Sequence, residues 1–288
     1  MTGSYQLIDS GNFEKLEQVG TVTVSRPSPQ AVWPKRLGTS VWSKVDAHFS
    51  RFSGGDGTWA VKNKKMPTSW LVKMGAITFK STLTDFGHIG MFPEQFANWE
   101  QLKSICAHSR DAGLEEMKVL NLFAYTGGST LAAAAGGAHV VHLDASKTSV
   151  AWARENAEAS ALDKHPIRWI TDDVQAFVAR ELRRGSKYHG IILDPPSYGR
   201  GSKGETWKIE DHLNPLLKDL KSLLADNARF VLLSSHSAGF TPIVLQNLLA
   251  SLSRSKEDRY EGAEMLLPER GRDTMPLPSG ASCFLHFA

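Results

Sequence analysis

The sequence predicts an α/β protein in which a doubly wound, mostly parallel sheet of seven strands follows a small N-terminal β-rich module. Three observations predict it. From about residue 96, short apolar runs alternate with segments of helical spacing, the pattern of βαβ units. Residues 1 to about 85 have another texture, rich in Trp, Lys, Gly and Thr, with apolar stretches at 19–24 and 70–79. Turn signals separate these stretches (Arg26-Pro27-Ser28-Pro29 and Ser53-Gly54-Gly55-Asp56-Gly57). The third observation is composition: 288 residues, 41% hydrophobic and 22% charged, which is ordinary globular chemistry and excludes disorder, collagen and coiled coil for the whole chain. The reading therefore divides the chain into residues 1–85 and 86–288.

The elements follow in order. A helix over 96–112 repeats apolar residues at Phe96, Trp99, Leu102, Ile105 and Cys106. Then come strand 119–123, helix 128–135, strand 139–144, helix 146–160, strand 167–171 and helix 173–184. Strand 189–194, helix 212–224, strand 229–235 and helix 241–251 continue the alternation. Two weaker strands, 261–267 and 282–287, finish it, the last expected to run antiparallel. Crossovers between parallel strands are right-handed and cover both sheet faces with helices.

Several classes are excluded early. Two cysteines, Cys106 and Cys283, build neither a disulfide framework nor a cysteine zinc site, and no metal is expected. The N-terminus has no apolar core of a secretory signal, and no run reaches the roughly 18 apolar residues of a membrane span. A cytoplasmic location is the expectation. The net charge of +3 is uneven: residues 1–105 hold 12 basic and 8 acidic side chains, and the remainder is nearly balanced.

In a doubly wound sheet, ligands bind beyond the carboxyl ends of the strands near the switch point, so the residues ending each strand carry the functional information. The first strand runs into Phe123, Ala124, Tyr125, Thr126, Gly127 and Gly128. That is a glycine turn opening a helix without the GxGxxG of a dinucleotide loop, which disfavours a nicotinamide dehydrogenase. The second ends in Asp144, Ala145 and Ser146. A carboxylate here can accept both hydroxyl protons of a ribose, or Asp144 or Ser146 can cap the next helix. The third ends in Asp172 and Asp173, with the same two readings; Asp173 is preferred because Val174 can offer an apolar wall and a backbone N–H to a purine. The fourth ends in Asp194, Pro195, Pro196, Ser197 and Tyr198. Two prolines stiffen the chain and remove two N–H donors, leaving carbonyls, the Asp194 carboxylate and the Tyr198 ring for a substrate. His236 follows the fifth strand and can be a base or a structural histidine.

With His88 to Gln95, Ala153-Arg154-Glu155-Asn156-Ala157 and these strand ends, the chain resembles the class I S-adenosylmethionine-dependent methyltransferases. More narrowly, over about residues 70–288 it is similar to the bacterial 23S ribosomal RNA methyltransferases that join a β-rich module to a Rossmann-like core. The resemblance implies that Phe123, Ala124, Tyr125, Thr126, Gly127 and Gly128 pass under the methionine part of S-adenosylmethionine. Asp144, Ala145 and Ser146 would hold the ribose, and Asp173 and Val174 the adenine. Gln95 would close the pocket, and Asp194 would face both cofactor and base. Pro195, Pro196, Ser197 and Tyr198 would face the RNA base.

Two departures stand. Relatives that methylate cytosine at C5 carry a cysteine where this chain has Ser197 and His236, so methylation without a catalytic cysteine is expected. The N-terminal module is also too short for both an RNA-binding PUA domain and the β-rich connector. Lys35, Arg36, Lys44, Arg51, Lys62, Lys64 and Lys65, interleaved with Trp33, Trp42, Trp59 and Trp70, can contact RNA, or the tryptophans can be the core of a small β domain and the lysines its solvated surface. The loop 198–210 adds Arg200, Lys203 and Lys208. A protein or small-molecule acceptor, and a non-catalytic cofactor- or RNA-binding scaffold, are the alternatives.

Overall fold

Gly190, Ile191, Ile192 and Leu193 are buried along their whole length, as are all six residues from Phe230 to Ser235. Strands with no polar alternation need a sheet covered on both faces, and the structure, a computed structural model, supplies one. It describes residues 3–52, 56–114, 116–200, 204–268 and 275–288; Ser53, Gly54, Gly55 and Lys203 lie outside these residues, as does the side chain of Arg200. The chain divides into two compact units, Met1–Phe96 with Leu266–Ser279, and Ala97–Met265 with Gly280–Ala288.

The first unit is a seven-stranded sheet in the order β5-β4-β3-β2-β1-β6-β7. Its strands are β1 Gly3–Gly11, β2 Glu14–Val19, β3 Val22–Pro27, β4 Ala47–Arg51, β5 Gly57–Val61, β6 Trp70–Met74 and β7 Ile77–Ser81, with a one-turn helix α1 Thr39–Trp42. The two apolar stretches of the sequence each turn out to be a hairpin corner, β2–β3 and β6–β7, rather than one strand. Period-2 burial explains the pairing: Trp70, Val72 and Met74 are buried while Leu71 and Lys73 are exposed, and Val72 sits opposite the buried Phe79. The returning segment is tied to this sheet by the Leu7 N–H, which donates to the Pro268 carbonyl at 2.7 Å.

Of the four tryptophans interleaved with cations, two are buried and two, Trp33 and Trp59, are half-buried. Trp42 and Trp70 are buried; their indole N–H groups donate to Asp9 Oδ2 (2.9 Å) and the Val19 carbonyl (2.7 Å). Trp33 and Trp59 donate to the carbonyls of Ser10 and Thr84. A small sheet lacks enough aliphatic residues for its core, and indoles fill it when their N–H finds an acceptor. Lys35 is also engaged, on Glu14 and over the Trp42 ring.

The second unit carries helix α2 Phe96–Asp111, then β8 Lys118–Leu122, α3 Gly128–Ala135, β9 His139–Asp144, α4 Lys147–Ala159, β10 Ile167–Thr171 and α5 Val174–Arg184. β11 Gly190–Leu193, β12 Tyr198–Arg200, β13 Thr206–Lys208, α6 Ile209–Lys221, β14 Phe230–Ser235, α7 Pro242–Leu249, β15 Arg259–Leu266 and β16 Pro278–His286 follow. The main sheet runs β10-β9-β8-β11-β14-β16-β15. β8, β9, β10, β11 and β14 are parallel and β16 is antiparallel to β14. All seven expected strands are present, and so is the antiparallel one. The order reverses between β8 and β11, which is the switch point. The loop expected at 198–210 contains a hairpin, β12 paired antiparallel with β13, and α6 begins three residues before the expected 212. Its Ile209, Leu213, Leu216, Leu217 and Leu220 form the buried stripe that joins Phe177, Tyr188, Leu233 and Leu285 in one core.

The first unit also buries charge. Glu17 is fully buried; its two carboxylate oxygens accept from Arg26 Nε and an Arg26 terminal nitrogen, each at 2.7 Å, and one accepts from the Tyr5 hydroxyl at 2.7 Å. Lys15 Nζ lies 3.4 Å away. Burial alone would raise the Glu17 carboxyl, but Arg26 and Lys15 outweigh it and hold it at about 2, below an ordinary 4.5. Removing one partner of a buried pair typically costs about 3–5 kcal/mol, because the other charge is left uncompensated. Glu17→Gln should therefore lower stability by about that much in urea unfolding at pH 7. The depressed value fixes the sign: the contribution is complete above about pH 4.5 and is lost as the pH falls toward 2. The gap between wild type and variant should narrow over that window.

Candidate active site

Beyond Leu122 the chain enters backbone that L residues rarely adopt: Phe123, Tyr125 and Gly127 have φ of 58°, 48° and 90°. The two non-glycine residues cost about 1–2 kcal/mol each, so the surroundings must hold them. Four hydrogen bonds do so. The Ala124 N–H donates to the Leu143 carbonyl at 3.0 Å and the Tyr125 N–H to Asp144 Oδ2 at 2.8 Å. Asn156 Nδ2 donates to the Thr126 carbonyl at 2.9 Å, and the Gly127 N–H to the Ala124 carbonyl at 3.0 Å. Asn156 is thus a support of the loop that strand-end reasoning passed over.

The two glycines have separate reasons. Gly127 takes the left-handed conformation that glycine tolerates, and a Cβ there would lie 3.1 Å from that of Ala153. Gly128 has ordinary φ, but its Cβ would fall 2.5 Å from the Trp99 ring. The close approach lets α3 start at once. Beneath the loop runs a buried polar chain: Asn121 Nδ2 donates to Thr130 Oγ1 at 2.8 Å, which meets His142 Nδ1 at 2.9 Å. Burial and then Arg154 push the His142 imidazole down to about 3, so it is neutral.

Asp144 is half-buried at the end of β9. Its Oδ2 takes the Tyr125 N–H and its Oδ1 the Ser146 N–H, both at 2.8 Å. Burial pushes its carboxyl up and these amides partly offset the push. The cap of α4 is Ser146, whose Oγ accepts the Ser149 N–H at 3.1 Å; Asp144 binds the loop instead. Each oxygen keeps lone-pair capacity beyond its single amide, the donor set a ribose diol requires. Ala145 lies between them, half-buried.

At the end of β10, Asp173 caps α5, its Oδ1 accepting the Ala176 N–H at 2.9 Å, while Asp172 pairs with Arg180. The Val174 side chain belongs to the buried core. After β11, Asp194 is half-buried, Pro195 buried, and Pro196, Ser197 and Tyr198 exposed. The Pro196 carbonyl, expected to face a ligand, accepts the Trp207 Nε1–H at 2.7 Å, which leaves it one lone pair. The Trp207 ring lies 4.7 Å from that of Phe123. The β12–β13 hairpin therefore ties the ends of β8 and β11 together through a residue that sequence reasoning missed, since nothing in its neighbourhood announces that pairing. His236 Nδ1 lies 3.5 Å from Asp194 Oδ1.

Both thiols are buried; burial pushes Cys106 up to about 12 and Cys283 up to about 11. Gln95 belongs to the first unit, buried in a single turn, Pro93–Gln95. A cavity of about 520 Å³ opens at the other, amino ends of the strands, beside Lys118, His139 and Ile167. Among the described residues, no group of three His, Cys, Asp or Glu is placed to hold a metal, and no helix is long and apolar enough to cross a membrane.

Residues 96–248 match the family model described as S-adenosylmethionine-dependent methyltransferase. A solved structure of an S-adenosylmethionine-dependent methyltransferase from Agrobacterium tumefaciens is 35% identical and superposes with a TM-score of 0.90, covering 99% of this chain and 93% of that one. Ribosomal RNA large subunit methyltransferase I of Aeromonas salmonicida is 42% identical over 82 residues, 28% of this chain and 21% of that protein. The match thus covers only about a fifth of the length of that relative. A transfer RNA m1G37 methyltransferase of M. jannaschii, at 10% identity and a TM-score of 0.55, shares the fold. The chain belongs to the S-adenosylmethionine-dependent methyltransferase family.

Proposed function

We propose that the protein transfers the methyl group of S-adenosylmethionine to a base of ribosomal RNA, without a covalent cysteine intermediate. The observation that carries this is that the strained loop, Asp144 and the Asp194-to-Tyr198 segment all lie at the carboxyl ends of neighbouring strands beside the switch point. S-adenosylmethionine supplies an electrophilic methyl on a sulfonium. Phe123, Ala124, Tyr125, Thr126, Gly127 and Gly128 would lie along its methionine part. Asp144, Ala145 and Ser146 would take the ribose, and Asp173 with the Val174 backbone the adenine. Asp194 and Pro195 would orient the acceptor, with the Ser197 hydroxyl and Tyr198 ring beside it. Positioning is the main catalytic contribution of such a site, with reacting atoms held about 3–3.5 Å apart.

The buried thiols support a mechanism without a cysteine nucleophile, since the thiolate is the reactive form. The RNA reading draws on the relatives' names and on Arg36, Lys44, Arg51, Lys62, Lys64 and Lys65, all exposed. A ribosomal RNA substrate would place the activity in the cytoplasm.

Mass-spectrometric comparison of nucleosides in ribosomal RNA from cells with and without the gene should reveal one methylated nucleoside lost. No loss overturns the RNA reading, and loss of 5-methylcytidine overturns the cysteine-free mechanism. Asp144→Ala should weaken S-adenosylhomocysteine binding about ten- to hundredfold by calorimetry, the worth of one or two charge-assisted hydrogen bonds. The ionised form accepts the hydroxyls and burial pushes this carboxyl up. Wild-type affinity should therefore fall as the pH drops through that raised value, and Asp144→Asn should not share the fall. Changing Lys62, Lys64 and Lys65 to Glu should weaken RNA binding and reduce its log–log salt slope by about 2; an unchanged slope would leave these lysines as a solvated surface.

A further inference from the structure

We propose that His236, held by Asp194, accepts the proton of the acceptor atom during methyl transfer; the proposal rests on the methyltransferase reading above. Asp194 follows β11 and His236 follows β14. These strands run parallel with Leu193 opposite Leu233, so their carboxyl ends open side by side. There His236 Nδ1 is 3.5 Å from Asp194 Oδ1, and the side chains are 34% and 26% exposed. They are partly sheltered yet open enough to meet a ligand at these strand ends. The turn around the histidine is fixed: the Ser237 N–H donates to Ser235 Oγ at 3.1 Å, and a Cβ on Gly280 would come within 3.3 Å of His236 Cδ2.

A carboxylate on one ring nitrogen selects the tautomer, orients the ring and stabilises the imidazolium that forms when the other nitrogen takes a proton. The chemistry needs such a group only for certain acceptors. An amine N–H, ring N–H or hydroxyl that attacks the methyl becomes cationic unless its proton leaves. The acceptor's electron pair forms the bond to the methyl carbon as the carbon–sulfur bond breaks. That bond's pair remains on sulfur as a neutral thioether, and the acceptor's proton passes to His236 Nε2 while Nδ1 faces Asp194. The inference narrows the acceptor to a proton-bearing nitrogen or oxygen. A ring nitrogen without a proton would have no use for the histidine, and a ring carbon would need the thiolate adduct.

RNA and protein fractions from cells lacking the gene, incubated with radiolabelled S-adenosylmethionine, provide the acceptors. Transfer should fall about a hundredfold or more in His236→Gln, with calorimetric binding of S-adenosylhomocysteine retained. The His236 imidazole nitrogen resonances, assigned by their disappearance in His236→Gln, should shift in Asp194→Asn. Undiminished transfer by His236→Gln, loss of S-adenosylhomocysteine binding in step with activity, or resonances unmoved by Asp194→Asn each overturn the proton-acceptor role alone. Absence of transfer by the wild type into either fraction overturns the methyltransferase reading, and this proposal with it.

Discussion

The Asp144 carboxylate is the point on which the second unit's strand ends depend. Two peptide N–H groups from opposite sides, Tyr125 and Ser146, meet its two oxygens. One bond fixes a loop with two left-handed non-glycine residues; the other fixes the entry to α4. Without it, nothing at Oδ2 offsets the strain at Phe123 and Tyr125, and relaxed backbone there would withdraw Phe123 from Trp207. Through Trp207 the effect reaches the Pro196 carbonyl, and so the segment next to Asp194. A single half-buried carboxyl thus couples the ends of β8, β9 and β11. Strain at a site persists only when its surroundings over-determine it, and here Asn156 and the Leu143 carbonyl share that task.

The sheet was legible because its physics is local. A strand buried on both faces is an unbroken apolar run, and the helix after it begins where a Ser, Asp or Gly can end the strand. What was not legible depends on partners far along the chain. Asp144 and Ser146 are both competent caps by type, and only three dimensions show that Ser146 takes the cap and leaves Asp144 for the loop. Asp173 shows the converse, a strand-end acid whose Oδ1 does cap its helix. Trp207 sits among glycines and lysines, where sequence offers no sign that its indole will reach Pro196. In the first unit, periodicity found apolar stretches but not the corners inside them, because a hairpin interrupts alternation without removing apolar residues.

The two units solve burial differently. The second relies on aliphatic residues packed from Leu120 to Leu285. The first places Tyr5, Glu17 and Arg26 inside, bonded to one another, with indole N–H groups bonded to backbone carbonyls and to the Asp9 carboxylate. Such a network is intolerant of single changes but sets register, since a one-residue slip would separate Glu17 from both partners. The tryptophans that sequence patterning offered to RNA are used here as structure. What the first unit could present to a polyanion is then its exposed cations, which would contact phosphates without reading bases.

That division bears on where acceptor selectivity can reside. Phosphate contacts from Lys62, Lys64 and Lys65 would fix affinity and orientation alike for any sequence. Discrimination has to come from groups that meet the base itself. The exposed Pro196, Ser197 and Tyr198 offer a ring face, two hydroxyls and a carbonyl that already accepts one bond from Trp207. On the proposed function, such a site would discriminate mainly by reaction: an acceptor would be methylated when its lone pair lies in line with the methyl and its proton has somewhere to go. The residues around Asp194 would then decide which atom reacts, and the lysines only how often a substrate arrives.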